Sequence, residues 1–547
     1  MRRVVNKQNP YLPSVNPYLF QINQESCLQL AVSYHSIVKM KSLDTRLKPI
    51  NSTKSIQICD LPEDCVEISP NVTDLRACTE HQIQSITDKS TGITPLEEDA
   101  LDDGFLLCDL SVVRRKLQAW HIMFPRIKPF YALKCNPNPM VAAVLGQDPN
   151  CGFDCASIAE IRLALLSTGN NAHRCIYANP QRAEADLEAA LALGVNALTF
   201  DGEEELQKIK YAYERRLQLW RENNGNQGIT EEPEPPEMIL RLLVPDGSST
   251  VPLGEKFGAP PDKIKHLVLV ALELELPLIG VSFHCGSGCH DPDAYGTAIR
   301  IAKDSLELMN ATIGEWSLRN GNTTCYPKCT LIDIGGGYPG MDGIGGDSKR
   351  FSSSLETTLE EKQMDGMGYL ESDETTFKIS QVLRPLIDDL FPEDNFDVEI
   401  ISEPGRYFVE AAFAYCARIY SSSVEVNCDE NASRHYYISQ GVQGLFKDAI
   451  LCGEEFKPIP IQIENPLKEN SSHDARSQVV PESDKDDPIL YKSIVHGPSG
   501  EEFDVVCKGC LLPELEVGDW LVFDRMGAYT LSIAARNSNL PIRYVTS

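Results

Sequence analysis

The sequence contains no long apolar run, no excess of positive charge and no apolar signal-peptide core near its first residues. A membrane-spanning helix needs roughly 20 consecutive apolar residues, and no stretch of the 547 residues approaches that length. With 50 basic against 79 acidic side chains, the formal net charge is −29. Such an acidic surface argues against a general nucleic-acid binder. We therefore expect a cytoplasmic protein that binds neither membranes nor nucleic acids.

Cysteine is abundant, but its spacing is irregular. The 18 cysteines are scattered, mostly within apolar or strand-like runs. Without a secretory signal, such cysteines are expected to be reduced core thiols rather than a disulfide framework. We predict no metal site.

Four polar stretches lack apolar periodicity. Residues 1–90 are rich in Ser, Thr, Asn and Pro, and we interpret them as a flexible N-terminal extension. Residues 222–237, 341–376 and 464–488 combine acidic or polar residues with Gly, Pro or Ser. We predict that these three segments are loop insertions whose charge forms a solvated surface.

Between residues 105 and 412, short strand-like runs alternate with helical stretches. The helical stretches at 158–166 and 183–191 place Leu, Ile and Ala on one face. Eight strand-like runs lie at 130–134, 152–157, 174–180, 197–201, 238–244, 278–284, 330–335 and 398–403. Eight strand–helix units over about 300 residues predict a (β/α)8 barrel.

A different pattern begins after residue 412. Short β-like runs at 436–439, 489–495, 503–507 and 520–524 are separated by turns such as Val517-Gly518-Asp519. We predict an all-β C-terminal domain over 413–547, a sandwich or barrel, completed by a strand at about 95–107. The predicted fold class is thus an α/β barrel followed by an all-β domain.

Polar residues lie at the ends of the predicted barrel strands, where such barrels carry their active sites. Among them are Lys134, Asp154, Arg241, His284 and Glu403. Glycine-bearing loops after the last two strands, with Arg406, are suited to hold a phosphate. An imine-forming lysine, a phosphate site and an acidic partner for a pyridine nitrogen together predict pyridoxal phosphate as the cofactor.

Six motifs extend this pattern along the chain. They begin at Pro129 (PFYALKCN), Gly152 (GFDCASIAE), Val281 (VSFHCGSG), Asp333 (DIGGGYPG), Glu403 (EPGR) and Gly518 (GDWLVFDRMGAYT). In this order they resemble eukaryotic ornithine decarboxylases. The wider family comprises the pyridoxal phosphate-dependent decarboxylases of ornithine, lysine, arginine and diaminopimelate. The resemblance covers about residues 104–544.

The resemblance implies an alanine-racemase-like barrel, a β domain and a head-to-tail homodimer with shared active sites. Lys134 would bind the cofactor covalently, His284 would stack on its ring and Glu403 would bind the ring nitrogen; these three are the candidate catalytic residues. The implied phosphate-binding residues are Ser287, Gly288, Gly335, Gly336, Gly337, Arg406 and Tyr529. Asp154, Glu160 and Arg241 match family residues around the ring.

The positions that would bind substrate depart from the family. Ornithine decarboxylases have a Gly-Pro-Thr-Cys-Asp-Gly run whose Cys donates a proton to Cα and whose Asp binds the distal amine. This chain has Gly497-Pro498-Ser499-Gly500-Glu501 there. Gly500 carries no titratable group and cannot donate a proton. A thiol from Cys507 or Cys510 would need a local rearrangement to replace it.

Three further positions also differ. Cys452 stands where the family has a second amine-binding Asp, and Gln443 where a Tyr is usual. Asn537, preceded by Arg536, occupies the place of an aromatic residue. Cys452, Glu501 and Arg536 are therefore the candidate substrate-binding residues.

Three functions are compatible with this pattern. One is a decarboxylase for an amino acid related to ornithine, in which Glu501 meets an amine and Arg536 a second carboxylate. Another is an ornithine decarboxylase with an altered site that makes putrescine. The last is a non-catalytic relative that, like the antizyme inhibitors, binds a regulatory partner. The retained cofactor residues argue against the last function.

Overall fold

The computed structural model describes residues 66–67, 104–224, 232–320, 327–340, 374–392, 398–426, 432–461, 489–534 and 540–546. The N-terminal extension predicted at 1–90 lies outside these residues, except for a strand at Val66–Glu67. The insertion predicted at 464–488 also lies outside them, as do residues 225–231 and 341–373 of the other two.

The strands were numbered in chain order. They are β1 (Val66–Glu67), β2 (Phe105–Asp109), β3 (Ile127–Ala132), β4 (Gly152–Cys155), β5 (Cys175–Tyr177), β6 (Ala197–Phe200), β7 (Glu237–Arg241), β8 (Ser249–Val251), β9 (Leu278–Ser282), β10 (Ser287–Cys289), β11 (Leu331–Asp333), β12 (Glu399–Ser402), β13 (Phe413–Arg418), β14 (Ser421–Val426), β15 (Ala432–Tyr437), β16 (Ile459–Ile461), β17 (Tyr491–His496), β18 (Val505–Leu512), β19 (Trp520–Phe523) and β20 (Ile542–Thr546).

Helices fill most of the connections between barrel strands. They are α1 (Leu110–Met123), α2 (Pro139–Gly146), α3 (Ile158–Ser167), α4 (Glu184–Ala192), α5 (Glu203–Asn224), α6 (Ile264–Glu273), α7 (Pro292–Arg319), α8 (Glu374–Leu390), α9 (Arg406–Val409) and α10 (Asp448–Leu451). The helices predicted at 158–166 and 183–191 correspond to α3 and α4. Among the helices described, none is long and apolar enough to cross a bilayer.

Eight parallel strands close into a barrel in the order β3, β4, β5, β6, β7, β9, β11 and β12, with β12 pairing back to β3. Each overlaps one of the eight predicted runs, so the predicted barrel is confirmed. Its strands are apolar because both faces are covered; Leu198 and Phe200 of β6, for example, are fully buried. The strands end before the polar residues, so Lys134, His284 and Glu403 lie in the loops just beyond β3, β9 and β12.

The strands after the barrel form two further sheets. One has the order β1, β20, β2, β13, β19, β16, and the other the order β14, β15, β17, β18. Strand β2, which precedes the barrel in sequence, lies between β13 and β20: Leu107 is opposite both Ala414 and Arg543. Phe105, Trp520 and Val522 are part of a separate buried cluster in the first sheet. Residues 95–103 of the strand expected at 95–107 lie outside the described range.

Two predicted loop boundaries were wrong. Helix α8 begins at Glu374, so the end of the 341–376 insertion is helical; Thr376 is buried and donates a hydrogen bond to the Pro339 carbonyl (3.3 Å). Residues 222–224 are likewise the last turn of α5. The start of α8 was not recognised because the apolar residues that mark its buried face, such as Ile379 and Leu383, come later.

Candidate active site

An ion pair between Lys134 and Asp154 lies at the mouth of the barrel. Strands β3 and β4 pair with Ala132 opposite Asp154, which brings the lysine two residues later beside the carboxylate. Lys134 Nζ donates to Asp154 Oδ2 (2.7 Å), while the buried Asp154 Oδ1 has no hydrogen-bond partner. Burial lowers the pKa of Lys134, but the carboxylates of Asp154 and Glu403 raise it more, so the net pKa lies above its ordinary value. The site thus holds a charged amine in a fixed position.

His284 provides a neutral imidazole ring beside this pair. Burial, followed by the positive charges of Arg241 and Lys134, holds the pKa of His284 well below its usual value. The Gly286 backbone N–H donates to His284 Nδ1 (3.0 Å), which assigns the proton of the neutral ring to Nε2. Arg241, at the end of β7, lies over the Phe257 ring at 4.8 Å.

Two further buried carboxyl groups, Glu403 and Asp333, lie at the mouth and interact electrostatically with each other. Asp333 is the last residue of β11, and Glu403 directly follows the neighbouring strand β12. Burial raises the pKa of Asp333 to about 7, and burial with the nearby charges of Asp154 and Asp333 raises the pKa of Glu403 well above its usual value. Glu403 is therefore protonated, and Asp333 accepts a hydrogen bond from the Gly335 N–H (2.9 Å). Sequence reasoning gave Asp333 no role, although it directly precedes the glycine run.

The glycine run after β11 is required by close packing of three loops. A Cβ atom at Gly335 would lie 2.1 Å from the Phe283 carbonyl oxygen, and one at Gly337 would lie 2.2 Å from that of Gly286. A Cβ at Gly336 would lie 2.4 Å from the Glu403 carbonyl oxygen and 3.1 Å from His284 Nε2. The run therefore allows the loops after β9, β11 and β12 to pack closely around the imidazole, which larger residues would prevent.

Arg406 and Tyr529 add charge and a hydroxyl group near Lys134. The Arg406 guanidinium lies 5.3 Å from the centroid of the Tyr529 ring. Burial lowers the pKa of Arg406, but Glu410 and other neighbouring groups raise it more, so the guanidinium stays charged. Burial raises the pKa of Tyr529, which keeps its phenol protonated and able to donate. The Tyr529 backbone, at φ +53°, donates to the Cys135 carbonyl (3.1 Å), which connects the last motif to the residue after Lys134.

Three other predicted residues have structural contacts. Glu160 forms a capping box at the start of α3: its carboxylate accepts from the Ala156 N–H (2.8 Å) and the Ser157 hydroxyl (3.0 Å). Ser287 and Gly288 lie in β10, which pairs with β8, and Gly288 has a φ of +66°. The two hydrogen bonds of the Glu160 carboxylate explain its position without a bound ligand.

The loop at 497–504, which carries the divergent positions, is built around Asp504. This buried carboxylate accepts from the backbone N–H groups of Val442 (2.9 Å) and Ser499 (3.1 Å) and from the Ser499 hydroxyl (2.7 Å). Glycine is needed at 441 and 497 because a Cβ there would lie 2.0 and 2.4 Å from Asp504 Oδ1. Sequence reasoning did not assign this role to Asp504.

Gly500 and Glu501 lie at the exposed tip of this loop. Gly500 has a φ of +67° and open space where a Cβ would be. Glu501 is exposed, and its backbone N–H donates to the Ser499 hydroxyl (3.3 Å). Within the described part of the chain, no hydrogen bond or ion pair joins Glu501 to Lys134 or Asp154. The two groups of predicted residues are therefore separate in one chain.

The remaining divergent positions are Cys452, Gln443, Arg536 and Asn537. Cys452 is half-buried, and its thiol donates to the Asp448 carbonyl (3.3 Å), while the Asp448 carboxylate lies 3.9 Å from Arg406. Gln443 is exposed. Arg536 and Asn537 lie outside the described residues.

The residues at the barrel mouth fit pyridoxal phosphate. They provide an amine, a buried protonated carboxyl for the ring nitrogen, a neutral flat ring to stack on the cofactor, and an open glycine loop near a guanidinium and a phenol. The buried Asp154 Oδ1, on the carboxylate that binds Lys134, is a further acceptor without a partner. Such an atom is costly unless a ligand pairs with it.

Comparison with known proteins agrees with this fit. Residues 110–410 match the family described as "Pyridoxal-dependent decarboxylase, pyridoxal binding domain". Antizyme inhibitor 2 of Xenopus laevis is 34% identical over 445 residues, covering 80% of this chain and 79% of that protein. Ornithine decarboxylase of Mus musculus is 31% identical over 442 residues, covering 79% and 78%. The structure of Paramecium bursaria Chlorella virus arginine decarboxylase matches with a TM-score of 0.62 and 26% identity, covering 86% of this chain and 99% of that one.

Proposed function

Because this chain belongs to the pyridoxal-dependent decarboxylases related to ornithine decarboxylase, we propose that it decarboxylates an amino acid that resembles ornithine but is not ornithine. The products are CO2 and an amine. The observation that supports this most directly is a contrast. The groups that suit pyridoxal phosphate are present, whereas glycine stands where ornithine decarboxylases have the proton-donating Cys.

Each residue at the barrel mouth has a distinct task in this proposal. Lys134 binds the cofactor covalently, and Asp154 holds the amine in position whenever it is free. Glu403 binds the ring nitrogen, and neutral His284 stacks on the ring. The phosphate is held by Ser287, Gly288, the 335–337 loop, Arg406 and Tyr529. Bound pyridoxal phosphate supplies the ring that takes up the electrons left when CO2 departs.

The divergent residues define the expected substrate. The Glu501 carboxylate remains able to bind an ammonium group, and Arg536 is able to bind a second carboxylate by charge-assisted hydrogen bonds. Cys452 replaces a charged amine-binding residue by a thiol, which weakens recognition of a simple diamine. A diamino acid with an added carboxylate or a substituted distal nitrogen matches these groups better than ornithine does.

We further infer that the active form is a homodimer. Glu501 is exposed and, among the described residues, forms no hydrogen bond or ion pair with Lys134 or Asp154 of its own chain, as expected if it completes the site of a partner chain. The cytoplasmic location stays a prediction from the sequence.

The test is a substrate panel. The purified protein with its native cofactor is given ornithine, lysine, arginine, diaminopimelate and N-substituted diamino acids, and CO2 release is measured for each. We expect turnover of a carboxylated or N-substituted diamino acid that exceeds turnover of ornithine. Preference for ornithine would contradict the proposal and support an altered ornithine decarboxylase.

A non-catalytic function is the second candidate, and the similarity to antizyme inhibitor 2 favours it. It predicts a protein that binds pyridoxal phosphate, or fails to bind it, and releases no CO2 from any member of the panel. The same experiment therefore separates the two candidates.

A further inference from the structure

A pair of cysteines in β18 takes no part in the proposed chemistry. Cys507 and Cys510 are separated by Lys508 and Gly509, which gives a Cys-x-x-Cys spacing. In β-structure, residues three apart ordinarily point to opposite faces. The geometry of β18 changes this.

An irregularity in β18 brings both thiols to one face of the sheet. Cys507 is opposite Val495 of β17, and Cys510 is opposite Ser493, two residues earlier. Gly509 is the extra residue between them, with a φ of +73° that suits glycine. Because Val495 and Ser493 lie on the same face of β17, their partners Cys507 and Cys510 do so too.

The two thiols are close enough to alter each other's acidity. Interaction with the Cys510 thiol, helped by the Cys510 backbone N–H, holds the pKa of Cys507 below its usual value. The same interaction raises the pKa of Cys510, whose thiol donates to the Ser493 carbonyl (3.4 Å). Cys507 is thus the better nucleophile, and Cys510 is placed to react with it second.

Accessibility distinguishes this pair from another one. Cys155 and Cys175 lie in neighbouring barrel strands, and Cys175 also affects the acidity of Cys155, but both are buried and the pKa of Cys155 is raised by burial. Cys507 and Cys510 are both half-buried. Cys155 and Cys175 are therefore a matched control: a second pair of neighbouring thiols that a dissolved disulfide cannot reach.

We propose that Cys507 and Cys510 form a reversible redox site that reacts with small disulfides of the glutathione class. The Cys507 thiolate attacks one sulfur of the oxidised glutathione, and one glutathione thiolate leaves and takes up a proton. The Cys510 thiolate then attacks the Cys507 sulfur, and the second glutathione leaves. The two cysteines lose two electrons and two protons, and one glutathione disulfide becomes two thiols. The site does not depend on the proposed substrate.

Peptide mapping of the full-length protein tests this proposal. The protein is equilibrated in glutathione buffers of increasing oxidised fraction, remaining thiols are alkylated, and the denatured chain is digested with trypsin. Trypsin cleaves after Lys492, Lys508 and Arg525, so the two cysteines fall in separate peptides, 493–508 and 509–525. Only a disulfide joins these peptides. We expect to recover the two peptides linked to each other and to see them separate on reduction. In the same samples, Cys155 and Cys175 should be recovered as alkylated free thiols.

Single variants test the order of reaction. In Cys510→Ser, Cys507 should accumulate a mixed disulfide with glutathione. In Cys507→Ser, Cys510 should remain a free thiol. Recovery of both cysteines as free thiols in oxidised wild-type protein, or linkage of Cys507 to a different cysteine, would overturn the proposal. Since the wild-type measurement needs no substitution, a variant that fails to fold does not affect the outcome.

Discussion

The barrel mouth and the 497–504 loop differ in how their polar groups are held. At the mouth, Lys134, Asp154, Asp333 and Glu403 lie at strand ends, and each alters the ionisation of another. In the loop, Asp504 is the buried charged residue, and it binds backbone groups and the Ser499 hydroxyl, while the tip residues Gly500 and Glu501 are exposed. A change at the mouth disturbs several charges together, whereas a change at the tip leaves the fold intact. The tip is therefore where specificity can change at least cost.

The most severe test of this comparison is removal of the amine at the mouth. Lys134→Ala should lose covalent attachment of the cofactor, detected by borohydride reduction and peptide mapping, because no other amine pairs with Asp154 in the described contacts. Decarboxylation should fall on the order of a thousandfold or more. Lys128→Ala is the control, since this lysine lies within β3, shortly before Lys134, but forms an exposed ion pair with Glu399 (2.7 Å). An equal loss of cofactor attachment and activity in both variants would contradict a specific role for Lys134 at the mouth.

The next effect concerns the base of the loop rather than its tip. Asp504→Ala should lower the free energy of unfolding by about 3 kcal/mol, because three donors lose a buried charged acceptor. Glu502→Ala, two residues away and exposed, should change it by less than about 0.5 kcal/mol. Denaturant titration measures both. Similar stabilities would show that Asp504 does not hold the loop.

The raised pKa of Asp333 at the mouth predicts a pH dependence. Burial raises the pKa of Asp333 to about 7, from about 3.8, so between these values the folded protein binds more protons than the unfolded chain. The free energy of unfolding of the cofactor-free protein should therefore fall as pH rises through this window. Asp333→Asn cannot titrate and should show a smaller fall in denaturant titrations across the same pH range. An unchanged slope would contradict the assignment.

The smallest effect is expected at the loop tip. Because Gly500 has a positive φ and open space around it, Gly500→Ala and Gly500→Cys should each cost about 1 kcal/mol of stability, from backbone strain alone. Only the Cys variant should gain activity towards ornithine, since only it can donate a proton. If both variants gained activity equally, the missing donor would not limit the reaction.

The fold could be predicted from the sequence largely because barrel strands are buried on both faces. The apolar runs that contain Leu198 or Val281 are visible without any tertiary information. That Lys134 lies near Asp154 could also be predicted, because the carboxyl ends of parallel strands meet at one end of a barrel. The role of Asp504 could not be predicted, because one of its donors, Val442, lies 62 residues away in sequence. Cys507 and Cys510 lie on the same face of β18 because of an irregularity at Gly509. The simple alternation of side chains along a strand does not predict this.

The position of β2 has a consequence for exchanging parts between related proteins. This strand comes before the barrel in sequence but pairs with β13 and β20, which come after it. A recombination junction placed between the barrel and β13 would transplant a sheet without its interior strand, leaving Leu106 and Leu107 to face foreign neighbours. Functional chimaeras should therefore carry the Phe105–Asp109 segment together with the C-terminal strands, although the barrel separates them along the chain.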